Sequence, residues 1–233
     1  MAVAFDLPDP ADKAKVVEAM FDRIAPRYDL LNRLLTFRID QSWRRATMRL
    51  AGVGPGDVVV DLGCGTGDMC RLAAAAGAQV IGIDFAAGML AEALRRKTPG
   101  AFVRADAGRI PLASGSATVV TSAFAVRNFV ALDLVLAEAA RVLAPVGRIA
   151  LLEVDEPKNR LTRRGHALYF GKIVPLIGGL LSDRWAYSYL PRSAIYLPPE
   201  KEFLRRVESA GFSPVIKHRL SGGIAQLIIG VRS

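Results

Sequence analysis

The chain has 233 residues, of which 52% are hydrophobic and 23% charged, with a formal charge of +9. This composition suits one folded domain with appendages or two small ones, and it excludes a disordered chain. No apolar run reaches the ~20 residues of a membrane-spanning helix, and the first residues lack the charged and apolar regions of a secretory signal.

From the N-terminus, Asp12 is placed to cap a helix whose apolar residues Val16, Val17, Met20, Phe21 and Ile24 recur at helical spacing. Pro26 is expected to interrupt it. Further amphipathic stretches run from about Tyr28 to Leu35 and from about Asp40 to Leu50, with Gly52 as a stop. The texture then changes to short β-branched runs. Strands are expected over Val58 to Leu62, Val80 to Asp84, Phe102 to Ala105, Val119 to Phe124 and Arg148 to Val154. Helices are expected between them, near Cys70 to Ala76, Gly88 to Lys97 and Leu132 to Leu143. Strands that alternate with helices imply an α/β fold, a mostly parallel sheet with helices on both faces. Residues 156–198 show no strand pattern and read as helical. Pro199 to Ala210 reads as a helix ended by Gly211. Pro214 to Leu220 and Ile224 to Val231, joined by Gly222-Gly223, close the chain as an antiparallel hairpin. Cys64 and Cys70 have the spacing of neither a zinc pair nor a redox pair, and His166 and His218 are far apart, so no metal site is expected.

The motif Asp61-Leu62-Gly63-Cys64-Gly65-Thr66-Gly67-Asp68 follows a strand and opens a helix. Its glycines allow a tight turn and a close approach of the backbone to a ligand beyond the strand ends. A dinucleotide fingerprint would have Gly or Ala where Asp68 stands. A carboxylate there disfavours a pyrophosphate at the helix N-terminus. S-adenosylmethionine (SAM) has no phosphate, and its sulfonium and amino group tolerate nearby carboxylates. Asp84 ends the second strand, where a carboxylate can accept hydrogen bonds from both ribose hydroxyls. Asp106 ends the third, placed for the exocyclic amine of adenine. The alternative is that Asp61, Asp84 and Asp106 merely cap loops.

These residues resemble the class I SAM-dependent methyltransferases. More narrowly, residues 14–233 resemble the ubiquinone/menaquinone biosynthesis C-methyltransferase family. The resemblance is carried by Met20-Phe21-Asp22-Arg23-Ile24-Ala25-Pro26-Arg27-Tyr28-Asp29-Leu30-Leu31-Asn32, Trp43-Arg44-Arg45 and the glycine motif. Phe124-Ala125-Val126-Arg127-Asn128, Tyr187-Ser188-Tyr189-Leu190-Pro191-Arg192-Ser193 and Leu220-Ser221-Gly222-Gly223-Ile224-Ala225 extend it. It implies cofactor contacts at Thr66, Asp84, Asp106 and Ala107, to which Asp61, Gly63, Gly65 and Phe85 add the loop and strand ends. Ala123 stands where the family has a serine, with Ser122 one place earlier. The resemblance also implies a reduced, prenylated quinone as substrate, methylated on a ring carbon, with an N-terminal helical lid over 1–51. The methyltransferase domain is then 52–233, with 156–198 a helical insertion on its substrate side.

A phenol of pKa ~10 must lose about three units, roughly 4 kcal/mol, to ionise at neutral pH. A cation or fixed donor beside the developing oxyanion can supply that. Arg127 with Asn128 is the candidate pair; the alternative is that Arg127 pairs with a carboxylate of the fold. Tyr28 and Asp29 lie on the lid, and Asp29 or Glu153 is a candidate base or a structural partner. Tyr187 and Tyr189 either line the ring pocket or pack in the core. The apolar segment from His166 to Leu181, with Tyr169 and Ile173, either covers the sheet or forms a groove for an isoprenoid tail. The positive charge fits an acidic membrane face better than nucleic acid. Nucleic-acid amino-methylating enzymes carry a proline-containing motif where Ser122-Ala123-Phe124-Ala125 stands. Expected partners are therefore a lipophilic quinol or other aromatic substrate, no nucleic acid, a cytoplasmic setting with peripheral membrane contact, and a second copy of the chain left open. The competing readings are a methyltransferase that tailors an aromatic secondary metabolite and a non-catalytic SAM-binding module.

Overall fold

The computed structural model describes residues 12–157, 159 and 183–233, and for Arg184, Tyr187, Leu190 and Pro191 the backbone alone. Seven strands form one sheet: β1 (Val58–Leu62), β2 (Gln79–Asp84), β3 (Ala101–Arg104), β4 (Ala117–Ala123), β5 (Leu143–Val154), β6 (Phe212–Leu220) and β7 (Ala225–Arg232). Their spatial order is β3-β2-β1-β4-β5-β7-β6. β1 to β5 pair in parallel, and β7 runs antiparallel between β5 and β6. This is the α/β architecture expected from the sequence, with its closing hairpin.

A parallel strand is covered on both faces, so it can be apolar on both. Val59 packs on one side with Met69, Cys70 and Leu90, and Val60 on the other with Leu136, Val207 and Phe203. The helices that supply these residues are α3 (Asp68–Ala75), α4 (Ala87–Arg95), α5 (Leu132–Val142) and α7 (Glu200–Ser209). From β1 the sheet grows outward through β2 on one side and β4 on the other. A crevice therefore opens beyond the carboxyl ends of the central strands.

Two N-terminal helices, α1 (Lys13–Leu35) and α2 (Ile39–Leu50), lie at that end, together with α6 (Arg184–Arg192). The expected break at Pro26 does not occur: α1 runs through it. An interior proline costs about 3 kcal/mol. Met20, Ile24, Leu31 and Leu35 are all buried against Met89 of α4 and Tyr189 of α6. Each such side chain contributes about 1.5–3 kcal/mol on burial, so tertiary packing outweighs the proline. β5 also starts five residues earlier than Arg148, because an irregularity between Ala117 and Val119 lets β4 pair with Leu143. Among the described residues, no helix is long and apolar enough to cross a membrane.

Candidate active site

The crevice holds a cavity of about 300 Å³, at the low end of small-molecule sites. Gly63 and Gly65 line it, both with positive φ (65° and 55°). A Cβ on Gly63 would lie 2.5 Å from the Cβ of Ala125, so only glycine lets the loop pass the end of β4. The Gly65 N–H donates to Asp84 Oδ2 (2.7 Å) and the Ala86 N–H to Asp84 Oδ1 (2.9 Å). Asp84 lines the cavity from the end of β2. Burial pushes its carboxyl above the ordinary carboxylate range, against the pull of those N–H donors. Each carboxylate oxygen accepts more than one hydrogen bond, so both retain capacity toward a ligand.

Asp106, beyond β3, is exposed and accepts from the Gly108 N–H (2.8 Å), which fixes its orientation at the cavity edge. Phe85, Ala107 and Leu134 supply apolar wall beside it. At the end of β4, Ala123 and Phe124 form another wall. Ser122 does not replace a serine at 123, because its hydroxyl donates to the Leu62 carbonyl (2.8 Å) inside the sheet. Phe124 has φ 61°, a conformation uncommon for a bulky residue. Its N–H donates to the Leu152 carbonyl (2.8 Å), and the Arg44 guanidinium lies 5.1 Å from its ring. Strand pairing and this cation thus hold the strained residue at the site.

The residues present fit SAM. A buried carboxylate and an exposed one stand at the ends of β2 and β3, and the glycine cradle after the neighbouring β1 has no room for a Cβ at Gly63. The first turn of α3, where a pyrophosphate would sit, is occupied instead by Asp68, bonded to Gln41 (2.9 Å) and paired with Arg71.

Several expected site residues face elsewhere. Asp61 is buried beneath the loop, where it accepts from the Thr121 hydroxyl (2.7 Å) and the Cys70 thiol (3.7 Å). Burial raises its carboxyl from the ordinary 3.8 to about 7. Between those values the folded chain binds more protons than the unfolded one, so stability falls as pH rises from about 4 to about 7. Asp61→Asn keeps an acceptor for Thr121 and cannot ionise. Its melting temperature should fall less than the wild type's between pH 4 and 7 and exceed it at pH 8. A parallel fall in both proteins would refute the assignment.

The Thr66 hydroxyl donates to Asp29 Oδ1 (2.7 Å) instead of lining the cavity. Asp29 is buried, paired with Arg96 and with Arg71 and Arg33 at 3.6 and 3.7 Å. A base must reach the proton it takes. Asp29 reaches Thr66 and three guanidinium groups, which ties α1 to the glycine loop and to α4.

The Arg127 guanidinium is buried, paired with Glu153, and its Nε donates to Ser193 Oγ (3.1 Å). The structural alternative for Arg127 thus describes its contacts, and Glu153 is taken up by the same pair. Lys13 at the start of α1 clamps this turn, donating Nζ to the carbonyls of Arg127 (2.9 Å) and Phe129 (3.3 Å) and lying 4.0 Å from the centre of the Tyr196 ring. Asn128 and Tyr28 line the cavity. Tyr189 donates its hydroxyl to Asn128 Oδ1 (3.1 Å) and stacks on Trp185, so it supports the wall from behind. Burial raises the Tyr28 and Tyr189 hydroxyls above the ordinary phenol value, opposed at Tyr28 by the charges of Arg44 and Arg127 and at Tyr189 by that of Arg127. Tyr187 lies on α6 but its side chain, and all of Tyr169 and Ile173, lie outside the described residues. Ser193, Lys13, Phe124 and Leu134 were not singled out by sequence reasoning. Ser193 and Phe124 had a signal, as the last and first residues of two of the motifs that carry the resemblance.

A model of the ubiE/COQ5 methyltransferase family matches residues 10–232. A ubiquinone/menaquinone biosynthesis C-methyltransferase of Syntrophotalea carbinolica is 42% identical over 92% of this chain and 93% of its own. A demethylmenaquinone methyltransferase of Thermus thermophilus is 40% identical over 91% of this chain and all of its own. Among solved structures, a SAM-dependent methyltransferase from Aquifex aeolicus shares the fold, with TM-score 0.60 and 17% identity over 97% of this chain and 100% of its own.

Proposed function

The chain belongs to the ubiE/COQ5 methyltransferase family, and on that premise we propose that it transfers the methyl group of SAM to a ring carbon of a reduced, prenylated quinone. The observation that carries this reading is the cavity itself. Carboxylates at the ends of β2 and β3 mark one side, and Tyr28, Phe124 and Asn128 mark another. SAM, when bound, supplies an electrophilic methyl carbon on a sulfonium.

The chain's own residues do the rest. Asp84 accepts the ribose hydroxyls and Asp106 accepts from the adenine amine. The amide oxygen of Asn128 is held by Tyr189, which orients its N–H donors for a ring hydroxyl that is losing its proton. The neighbouring Arg127, paired with Glu153, holds the turn that carries Asn128 in place. As the hydroxyl gives up its proton to solvent at the open edge of the cavity, the adjacent ring carbon becomes the nucleophile, and the proton this carbon carries leaves to solvent once it is methylated, so that the ring regains its aromaticity. The apolar walls Phe21, Phe124 and Phe129 exclude water, which strengthens these fixed donors. Val130 and Leu134 are exposed apolar residues at the cavity edge, suited to a lipophilic substrate.

Incubation with labelled SAM and a panel of reduced prenylated quinones is expected to give ring-carbon methylation. Transfer only to hydroxyl oxygens, or only to unprenylated aromatics, would overturn the reading in favour of a tailoring enzyme. Asn128→Leu removes one oxyanion donor, a change that costs about 10²–10³ in turnover at comparable sites. SAM affinity by calorimetry should stay within a few-fold of the wild type. A kcat within threefold of the wild type would remove Asn128 from the chemistry.

A further inference from the structure

Four large apolar side chains stand exposed where α1 turns into α2. Leu30, Leu34, Phe37 and Ile39 have 68%, 51%, 73% and 43% of their surface open. Leu30 and Leu34 are one helical turn apart on α1, so they share a face. Phe37 and Arg38 follow in succession with φ of 51° and 62°, both in the left-handed region that non-glycine residues avoid. The chain thus holds a strained turn at the place where it exposes a phenylalanine.

The surroundings are cationic. Residues 23–56 contain seven arginines and only two carboxylates, Asp29 and Asp40, both buried. Arg27 on α1 and Arg38, Arg45 and Arg49 along α2 are exposed around the apolar tip. Arg38 precedes the first residue of α2 and Arg49 lies eleven positions further on, so these charges extend over about 16 Å. Apolar side chains at a tip with cations behind them match the layered chemistry of an anionic bilayer, hydrocarbon below and phosphate above. The same α1 lines the cavity through Ala14, Phe21 and Tyr28.

We infer that the α1–α2 turn docks this protein on an anionic lipid surface, with Leu30, Leu34 and Phe37 inserted and the α2 arginines on the head groups. The choice of a bilayer over a protein partner rests on the proposed lipophilic substrate, which would reach the α1 wall of the cavity from that surface.

The test is flotation of the full chain with vesicles of phosphatidylcholine, alone or with one third phosphatidylglycerol. The wild type should float with the anionic vesicles and lose binding as salt rises. Leu30→Gln/Leu34→Gln/Phe37→Asn should bind at least tenfold more weakly, with an unchanged circular-dichroism melt. Arg45→Glu/Arg49→Glu should lose the preference for phosphatidylglycerol. Wild-type binding by the triple variant would overturn the proposal. So would absence of wild-type binding, or sedimentation showing that the triple variant turns a dimer into a monomer. The triple variant should methylate a short-chain, water-soluble quinol at the wild-type rate. Failure of the wild type on that quinol would end the substrate reading while leaving the vesicle result standing.

Discussion

Replacing Asp84 with alanine is expected to weaken SAM binding by two to four orders of magnitude while leaving a folded chain. Hydrogen bonds to a charged group contribute about 1.5–3 kcal/mol each. Two ribose hydroxyls on one carboxylate therefore amount to about 3–6 kcal/mol, at about 1.4 kcal/mol per tenfold. The same substitution leaves the N–H groups of Gly65 and Ala86 without the acceptor that now holds them. Stability should drop by about 1–3 kcal/mol for each group left buried and unpaired. Calorimetry on the folded variant, checked by circular dichroism, separates the two effects. Affinity equal to wild type would refute the ribose role. Asp84→Asn should not restore binding, because its amide nitrogen must face one of the two backbone donors.

Arg127→Met is expected to cost about 3–5 kcal/mol of stability, the range for removing one partner of a buried ion pair. Glu153 is fully buried, and among the described residues it would keep as donors the backbone N–H groups of residue 127 (3.3 Å) and Val154 (2.8 Å). Arg127→Met/Glu153→Gln removes the stranded charge and keeps an acceptor for one of the two N–H groups, which now bond different oxygens, so it should recover part of the loss. Urea unfolding of the two single variants and the double variant completes the cycle. If the effects simply add, the pair is not a unit and Arg127 does not hold the β4 turn through Glu153.

The sheet and its cofactor side were legible in the sequence for a local reason. Val58 to Leu62 and Val80 to Asp84 each carry their own apolar run, the first followed at once by the glycine turn and the second ended by a carboxylate, so strand, turn and carboxylate are read within a few residues. The substrate side was legible only in part, because its contacts join distant segments. Arg127 meets Glu153 through the pairing of β4 with β5, and Ser193 through the turn after α6. Nothing near residue 127 in the chain announces either partner. Asp29 shows the same limit: its position on α1 suggested a group facing the ligand, yet Thr66 and Arg96 turn it into a fastening. Pro26 misled because the force that carries the helix through it comes from α4 and α6.

The two backbone donors that grip Asp84 from the glycine turn and from the start of α4 have a consequence for the energetics of association. The carboxylate is already oriented before any ligand arrives, and the loop over it is already shaped. Little conformational freedom is left to lose at this corner when the nucleoside settles in, so affinity there reflects contact quality with hardly any ordering penalty.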